Sequence, residues 1–282
     1  MNSRKQMISR QFNRSAAGSY DRHANVQRTM ADQLSQSLLH EFSPKADAAL
    51  NILEIGCGTG ALTERLANDW PDAIITALDL APEMINAAKH RIGTVCKGSN
   101  IRFLSADIEE WAPIAASGSF DFIVANACFQ WLSHPVDTLF HLRRLLRSEG
   151  EGMLAFATFG PDTFHELHES FKAVYLASGK VPQRHGLSFN STSEWNYLLE
   201  QAGFTSVQVA RSIQTEVFVS PSEFLHAVKA VGASTSEAAV TPGISSRSLI
   251  TGMYKEYKNK FSIPAGIGVT YELLFIQALA AR

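Results

Sequence analysis

Residues Ile52–Gly60 read ILEIGCGTG, an apolar run that meets an acidic residue and then breaks into alternating glycines. Leu50–Ile55 has the length and composition of a buried strand, and Ala61–Asn68 continues at helical spacing. The segment Glu54-Ile-Gly56-Cys57-Gly58-Thr59-Gly60 therefore joins a strand to a helix. Its glycines permit a tight turn and, lacking Cβ, let a ligand lie directly against backbone. Asp79 ends the next apolar run, Ala73–Leu80, where a carboxylate accepts both hydroxyls of a ribose. A nucleoside-like ligand is expected at the carboxyl ends of the strands.

A dinucleotide fold shares this layout, but its glycines are spaced G-x-G-x-x-G and its helix N-terminus faces pyrophosphate. Here the spacing is G-x-G-x-G after Glu54. A carboxylate beside the loop repels pyrophosphate and suits a ligand carrying an ammonium and a sulfonium. Cys57 reads as loop packing, since nothing near it in sequence offers a base.

Working outward, strands are expected at Ile101–Leu104, Phe120–Ala125 and Gly152–Thr158, alternating with helices Pro82–Arg91 and Pro135–Arg147. This alternation implies a parallel sheet with right-handed crossovers. Beyond Phe159 it loosens. Pro161–Ala177 and Ser193–Ala202 read as helices, with Pro161-Asp162 starting the first, and Val207–Val219 as a long strand. Helices Ser222–Val231 and Ser246–Lys260 follow, joined by a Ser/Thr/Pro/Gly loop, and Val269–Ala281 reads as a final strand. Upstream, residues 1–45 are polar, with a helical pattern at Val26–Leu39 that Ser43-Pro44 ends.

The chain has 282 residues, 45% hydrophobic and 18% charged, enough to build a substantial core. A net charge of −2 gives no global signal for nucleic acid or an anionic membrane, and neither is expected as a partner. No apolar run approaches the roughly 18–20 residues that span a bilayer, and the basic N-terminus lacks a signal-peptide pattern. Cys57, Cys96 and Cys128 are odd in number and widely spaced, so reduced thiols, no metal and a cytoplasmic location are expected.

The glycine loop after Glu54, Asp79, Ser105-Ala106-Asp107-Ile108 and Phe120–Asn126 together resemble the class I S-adenosylmethionine-dependent methyltransferases. That resemblance implies an α/β, Rossmann-like fold: a mostly parallel seven-stranded sheet with helices on both faces. It also implies an N-terminal helical lid (1–45), a core (46–220 and 265–282) and a helical insertion before the last strand (221–264). S-adenosylmethionine becomes the expected cofactor. Glu54, Gly56, Cys57, Gly58 and Gly60 take its methionine part, Asp79 its ribose with Leu80 and Met84 nearby, and Asp107 with Ile108 its adenine. Asn126 falls near the transfer centre, while Asp121 supports its strand.

Further segments are similar to the malonyl-[acyl-carrier protein] O-methyltransferases of biotin synthesis. They are Phe12–Gln27, Asn126–Leu132, Thr158–Leu167, Val228–Ser234 and Val269–Phe275, with Thr241–Arg247 fitting loosely. The likeness runs from Phe12 to the C-terminus and implies methylation of the free carboxylate of a malonyl thioester. Acyl carrier protein carries that thioester, and malonyl-CoA stays open as an alternative. Such a carboxylate, with a pKa of about 4, is already ionised at neutral pH and needs no general base. The resemblance makes Tyr20 and Asn126 the residues of the transfer centre, Tyr20 by orienting the carboxylate. Gln130 and Trp131 wall the pocket, though Trp131 reads equally well as core. Arg144, His165 and Lys229 are alternative cationic partners for the carboxylate. An acidic carrier calls for a basic face, either Arg143, Arg144 and Arg147 or Lys255, Lys258 and Lys260; each also reads as a solvated helix face. A trans-aconitate or quinone-type methyltransferase, and a non-catalytic nucleoside-binding domain, remain as rival readings.

Overall fold

A computed structural model describes residues 3–16, 18–41, 49–95, 100–147, 152–233 and 246–280. Cys96, the Ser43-Pro44 helix stop, Ser234, the loop 234–245 with most of Thr241–Arg247, and Ala281 lie outside the described residues.

Five strands form the parallel part of one sheet: β1 (Asn51–Ile55), β2 (Ile74–Asp79), β3 (Asn100–Ser105), β4 (Phe122–Asn126) and β5 (Met153–Phe159). The long strands β6 (Phe204–Phe218) and β8 (Gly266–Ala280) complete it, giving the order β3-β2-β1-β4-β5-β8-β6. β8 runs antiparallel to both β5 and β6. The seven expected strands are joined by a two-residue strand, β7 (Ser262–Ile263), which hairpins onto the start of β8. Strand order reverses between β1 and β4, so their carboxyl ends open the crevice where ligands bind in such sheets.

Side-chain alternation sorts the core into two layers. Ile52 faces one layer, with Met30, Leu34 and Leu38 of α3 (Asn25–Glu41) and Leu62 and Leu66 of α4 (Ala61–Asp69). Leu53 and Ile55 face the other, with Leu139, Leu142 and Leu145 of α7 (Pro135–Leu145) and Trp195 and Leu199 of α9 (Thr192–Gln201). Each such side chain contributes roughly 1.5–3 kcal/mol by leaving water. Covered on both faces, β5 is buried at all seven positions, hence its unbroken apolar sequence. Three more helices extend the first layer: α8 (His165–Ala177), α10 (Pro221–Ala230) and α11 (Ser246–Phe261), through Phe171, Phe224 and Tyr257.

Two helices precede α3 that apolar periodicity does not reveal: α1 (Ser3–Ala16) and the single turn α2 (Tyr20–His23). Both lie over the crevice. Between the core strands run α5 (Pro82–Val95), α6 (Ile108–Trp111) and a 3-10 turn, Phe129–Trp131.

The long strands β6 and β8 each start three residues earlier than expected, at Phe204 and Gly266, and two helix boundaries move for reasons visible in their contacts. The helix expected from Pro161 starts at His165, because Phe164 adopts a left-handed φ of 61° and Glu272 of β8 accepts the Asp162 N–H at 2.7 Å. The helix expected to reach Arg147 stops at Leu145, and Arg147 turns away to pair with Asp121 at 2.8 Å.

Candidate active site

The glycine loop lies in the switch-point crevice. Gly56, Gly58 and Gly60 all have left-handed φ values of 71°, 54° and 87°, which side chains other than glycine adopt at a cost. A Cβ on Gly56 meets the Cys128 sulfur at 2.5 Å, and one on Gly60 meets the Ala88 backbone of α5 at 3.2 Å. The N–H groups of Gly56 and Cys57 both donate to the Leu78 carbonyl, at 2.7 and 3.0 Å, and anchor the loop to β2.

Asp79 ends β2 and braces the same loop. Its Oδ2 accepts from Gly58 N at 2.9 Å and its Oδ1 from Ala81 N at 2.8 Å. Burial pushes its carboxyl up to about 6, against the pull of these backbone hydrogen bonds. Glu54 lies deeper, accepting from Thr63 Oγ1 at 2.6 Å, and burial pushes it up to about 8. Asp107 caps the N-terminus of α6 by accepting from Glu109 N at 3.0 Å, and Lys5 of α1 donates to the same oxygen at 3.0 Å. Lys5 also pairs with Glu109. Burial opposes the charge on Lys5, but hydrogen bonds to Glu109 and Asp107 outweigh it and raise its pKa.

These groups line a cleft. Gly56, Gly58, Asp79, Leu80, Met84, Asp107, Ile108, Asn126 and Trp131 all line it. Lys5, Ile8 and Phe12 of α1 roof one end, and Tyr20 of α2 closes the other. Burial and then the Asp79 charge push the Tyr20 phenol well above its ordinary range, so it remains a hydrogen-bond donor. Glu54 and Cys57 face a smaller recess beside this cleft, shared with Tyr20, Thr59 and Asn126. Burial, then Asp79, holds the Cys57 thiol protonated, which agrees with a packing role. Gly60 starts α4 and packs on α5.

A second, larger and mainly apolar chamber adjoins the first across Trp131, which lines both. Phe12 meets that indole edge-on, with ring centroids 5.5 Å apart. Gln27, Gln130, Phe164, His168, Tyr271 and Lys229 contribute to the chamber wall. Asn126 sits where the two volumes approach. Its Nδ2 donates to the Gln27 carbonyl at 2.9 Å, while its buried Oδ1 has no protein partner. Ala127 next to it holds a left-handed φ of 48°, a conformation that costs about 1–3 kcal/mol in a non-glycine residue. The fold fixes it there: Ala127 N donates to the Ala157 carbonyl at 2.8 Å, and Gln130 Nε2 donates to the Ala127 carbonyl at 2.7 Å.

Not every residue suggested by the sequence comes to these cavities. Arg144 faces the 112–117 loop, donating to the Ala112, Pro113 and Ala115 carbonyls and to Ser117 Oγ. His165 is half-exposed beside Glu166 and Phe261, and its neighbour one turn on, His168, faces the chamber instead. Lys229 is exposed at the chamber's rim. The basic cluster after β4 is dispersed, with Arg144 and Arg147 bonded internally, whereas Lys255, Lys258 and Lys260 stay exposed on α11. Lys5, Phe12 and His168 were not singled out from sequence; the one available signal was the i, i+4, i+7 spacing of Leu167, Phe171 and Val174 with His168 beside it. Among the described residues, no cluster of His, Cys, Asp and Glu is arranged to hold a metal ion.

Comparison with known proteins meets this geometry. A family model described as a methyltransferase domain matches residues 52–150, spanning the glycine loop, Asp79, Asp107 and Asn126. A malonyl-[acyl-carrier protein] O-methyltransferase of Paenibacillus sp. is 54% identical over 278 residues, covering 99% of this chain and 100% of the relative. The chain belongs to the malonyl-[acyl-carrier protein] O-methyltransferase family. Another member, from Brevibacillus brevis, is 40% identical, covering 99% of this chain and 97% of the relative. Among solved structures, a putative methyltransferase of Bacillus halodurans superposes with a TM-score of 0.60 at 14% identity, covering 90% of this chain and all of that one. The fold is thus the Rossmann-like methyltransferase fold. The family likeness extends through α1, α2, α10 and α11, the elements that wall the two cavities of this malonyl-[acyl-carrier protein] O-methyltransferase family member.

Proposed function

We propose that this chain transfers the methyl group of S-adenosylmethionine to the free carboxylate of a malonyl thioester on acyl carrier protein. The methyl ester masks the charge, so that the acyl group can be elongated as a primer toward pimeloyl and biotin synthesis. The observation that carries this reading is the pair of cavities meeting at Trp131, one set against the glycine loop with Asp79 and Asp107 in its wall, the other larger and lined mainly by apolar side chains.

The residues of the first cleft fit the cofactor. Gly56 and Gly58 bring bare backbone to the cleft, with no room beside Cys128 for a Cβ at Gly56; Asp79 suits the ribose hydroxyls, and Asp107 suits the adenine amine. Asn126 Oδ1, buried without a protein partner, is an acceptor available to a bound molecule. When bound, S-adenosylmethionine supplies an electrophilic methyl on a cationic sulfur.

The protein's part is orientation and exclusion of water, which in favourable cases supplies about 7–11 kcal/mol. Tyr20, kept protonated, donates to one carboxylate oxygen and leaves the other free to attack. Gln130 and Trp131 border the acceptor's path, and residues 1–45 act as a lid with the 221–264 insertion. The apolar chamber suits the thioester arm, with Lys229 at its rim. Arg247 and Lys255, exposed on α11, offer a basic face to an acidic carrier, since α11 also walls the chamber through Ile250. The free thiols Cys57 and Cys128 agree with a cytoplasmic setting. No helix among the described residues is long and apolar enough to cross a membrane.

The test is incubation with methyl-labelled S-adenosylmethionine and, separately, malonyl-carrier protein, malonyl-CoA, free malonate and a quinol. Labelled ester on a malonyl thioester is expected. Label on the quinol or free acid, with none on either thioester, refutes the reading.

A further inference from the structure

We propose that Asp21 is the positioning residue for Tyr20: through Thr59 and Arg91 it clasps the lid turn to the cofactor loop and so fixes the phenol over the transfer centre. This rests on the role proposed above for Tyr20.

The need for such a clasp follows from α2 itself. The helix is a single turn, Tyr20–His23, with no fully buried residue and no side-chain cap at Ser19. A helix this short has no stability of its own. Its orientation must come from tethers, and the side chain next to Tyr20 provides them toward the cofactor loop.

Asp21 uses both carboxylate oxygens. Thr59 Oγ1 donates to Oδ1 at 2.7 Å, and Arg91 Nη2 of α5 donates to Oδ2 at 2.8 Å. The same guanidinium donates through Nε to the Thr59 carbonyl at 2.9 Å, closing a ring of three residues, and its Nη1 reaches Glu64 at 3.4 Å. Thr59 is 4% exposed and sits between Gly58 and Gly60, in the loop that cradles the cofactor. The exposed ion pair contributes little on its own. The charge-assisted bond to a buried threonine contributes more, and the planar fork of Arg91 sets its direction.

The other tethers of this segment run elsewhere. Ser19 Oγ donates to the Ala230 carbonyl of α10 at 3.3 Å, and Arg28 of α3 donates to the Asp21 carbonyl. The first contact holds the turn near the acceptor chamber and the second ties it to α3; neither bonds to the glycine loop. Asp21 makes that connection. With both oxygens engaged and an acceptor that is already ionised, Asp21 has no proton to take, so its role is positional.

The test is steady-state kinetics and S-adenosylhomocysteine affinity for Asp21→Ala, Asp21→Asn, Tyr20→Phe and the double variant Tyr20→Phe/Asp21→Ala. Asp21→Ala is expected to lower kcat about tenfold, the loss of one charge-assisted hydrogen bond, with affinity for the product nucleoside unchanged. Asp21→Asn keeps an acceptor for Thr59 and should recover most of the rate. In the Tyr20→Phe background the Asp21→Ala effect should disappear. An undiminished effect in that background, or full activity in Asp21→Ala, overturns the inference. Wild-type turnover in Tyr20→Phe alone instead refutes the role of Tyr20, and the clasp with it. If Asp21→Ala fails to fold, Thr59→Val and Arg91→Met test the same ring from its other members, with the same expected loss of kcat and the same dependence on Tyr20.

Discussion

Lys5 and Asp107 meet at 3.0 Å across the roof of the cofactor cleft, both side chains almost fully withdrawn from water. Lys5 also reaches Glu109, whose carboxylate accepts from Ser133 N and His134 N at 3.0 and 2.7 Å. One ammonium thus fastens α1 to the Asp107 end of the cleft and to the segment that follows Trp131. Lys5→Ala is expected to speed release of S-adenosylhomocysteine and to weaken its binding by about tenfold. Lys5→Arg should restore part of the loss. Stopped-flow displacement with a fluorescent cofactor analogue measures the rate; an unchanged rate contradicts the latch.

A second prediction concerns protons. Burial raises both Glu54, to about 8, and Asp79, to about 6, above their ordinary carboxylate values. Raised carboxyls bind more protons folded than unfolded, so their contribution to stability is greatest in acid and falls as pH rises through about 6 and then about 8. Ribose hydroxyls and an ammonium favour the ionised forms, so cofactor binding should release protons at pH 7, chiefly from Glu54, and should tighten between about pH 6 and 8. Calorimetry in buffers of different ionisation enthalpy reads the proton count; uptake, or no exchange, would refute it.

Gly56 provides a steric test. Gly56→Ala combines a left-handed φ of 71° with a Cβ 2.5 Å from the Cys128 sulfur. The loop must shift off the floor of the cleft, and cofactor affinity is expected to fall at least tenfold while the fold persists. Gly56→Ala binding cofactor as wild type does, by calorimetry, contradicts the cradle.

Arg144 is expected to matter for stability and not for the acceptor. It satisfies three carbonyls and a serine in the 112–117 loop, so Arg144→Ala should cost about 1–3 kcal/mol of stability. KM for the malonyl substrate should not change. A raised KM with unchanged thermal stability would return Arg144 to the acceptor site.

How much of this was legible in the sequence depends on which interactions are local. β1, β2, β4 and β5 stand out because strands covered on both faces need continuous apolar runs, and β5 is buried at every position, whereas the edge strand β3 has no buried residue. The glycine loop is equally plain, since its backbone conformation demands glycine itself. α1 escapes periodicity because side-chain bonds from Lys5 and Asn13, more than an apolar face, hold it down. The start of α8 depends on Glu272, 110 residues away from Asp162, which no local pattern encodes. Likewise His165 and His168 share a helix three residues apart, and only the packing of α8 decides which one faces the chamber. Asp21 lies within the Phe12–Gln27 segment, but its partners Thr59 and Arg91 are brought to it by folding alone.

The central claim is that the methyl goes to the malonyl carboxylate, and intact-mass analysis of carrier protein tests it most directly. Malonyl-carrier protein incubated with enzyme and S-adenosylmethionine should gain the mass of one CH2 unit, a methyl replacing the acid proton, while acetyl-carrier protein, which has no free carboxylate, gains nothing. A methyl group on acetyl-carrier protein, or an unmodified malonyl-carrier protein under conditions where the enzyme binds cofactor, would contradict the account.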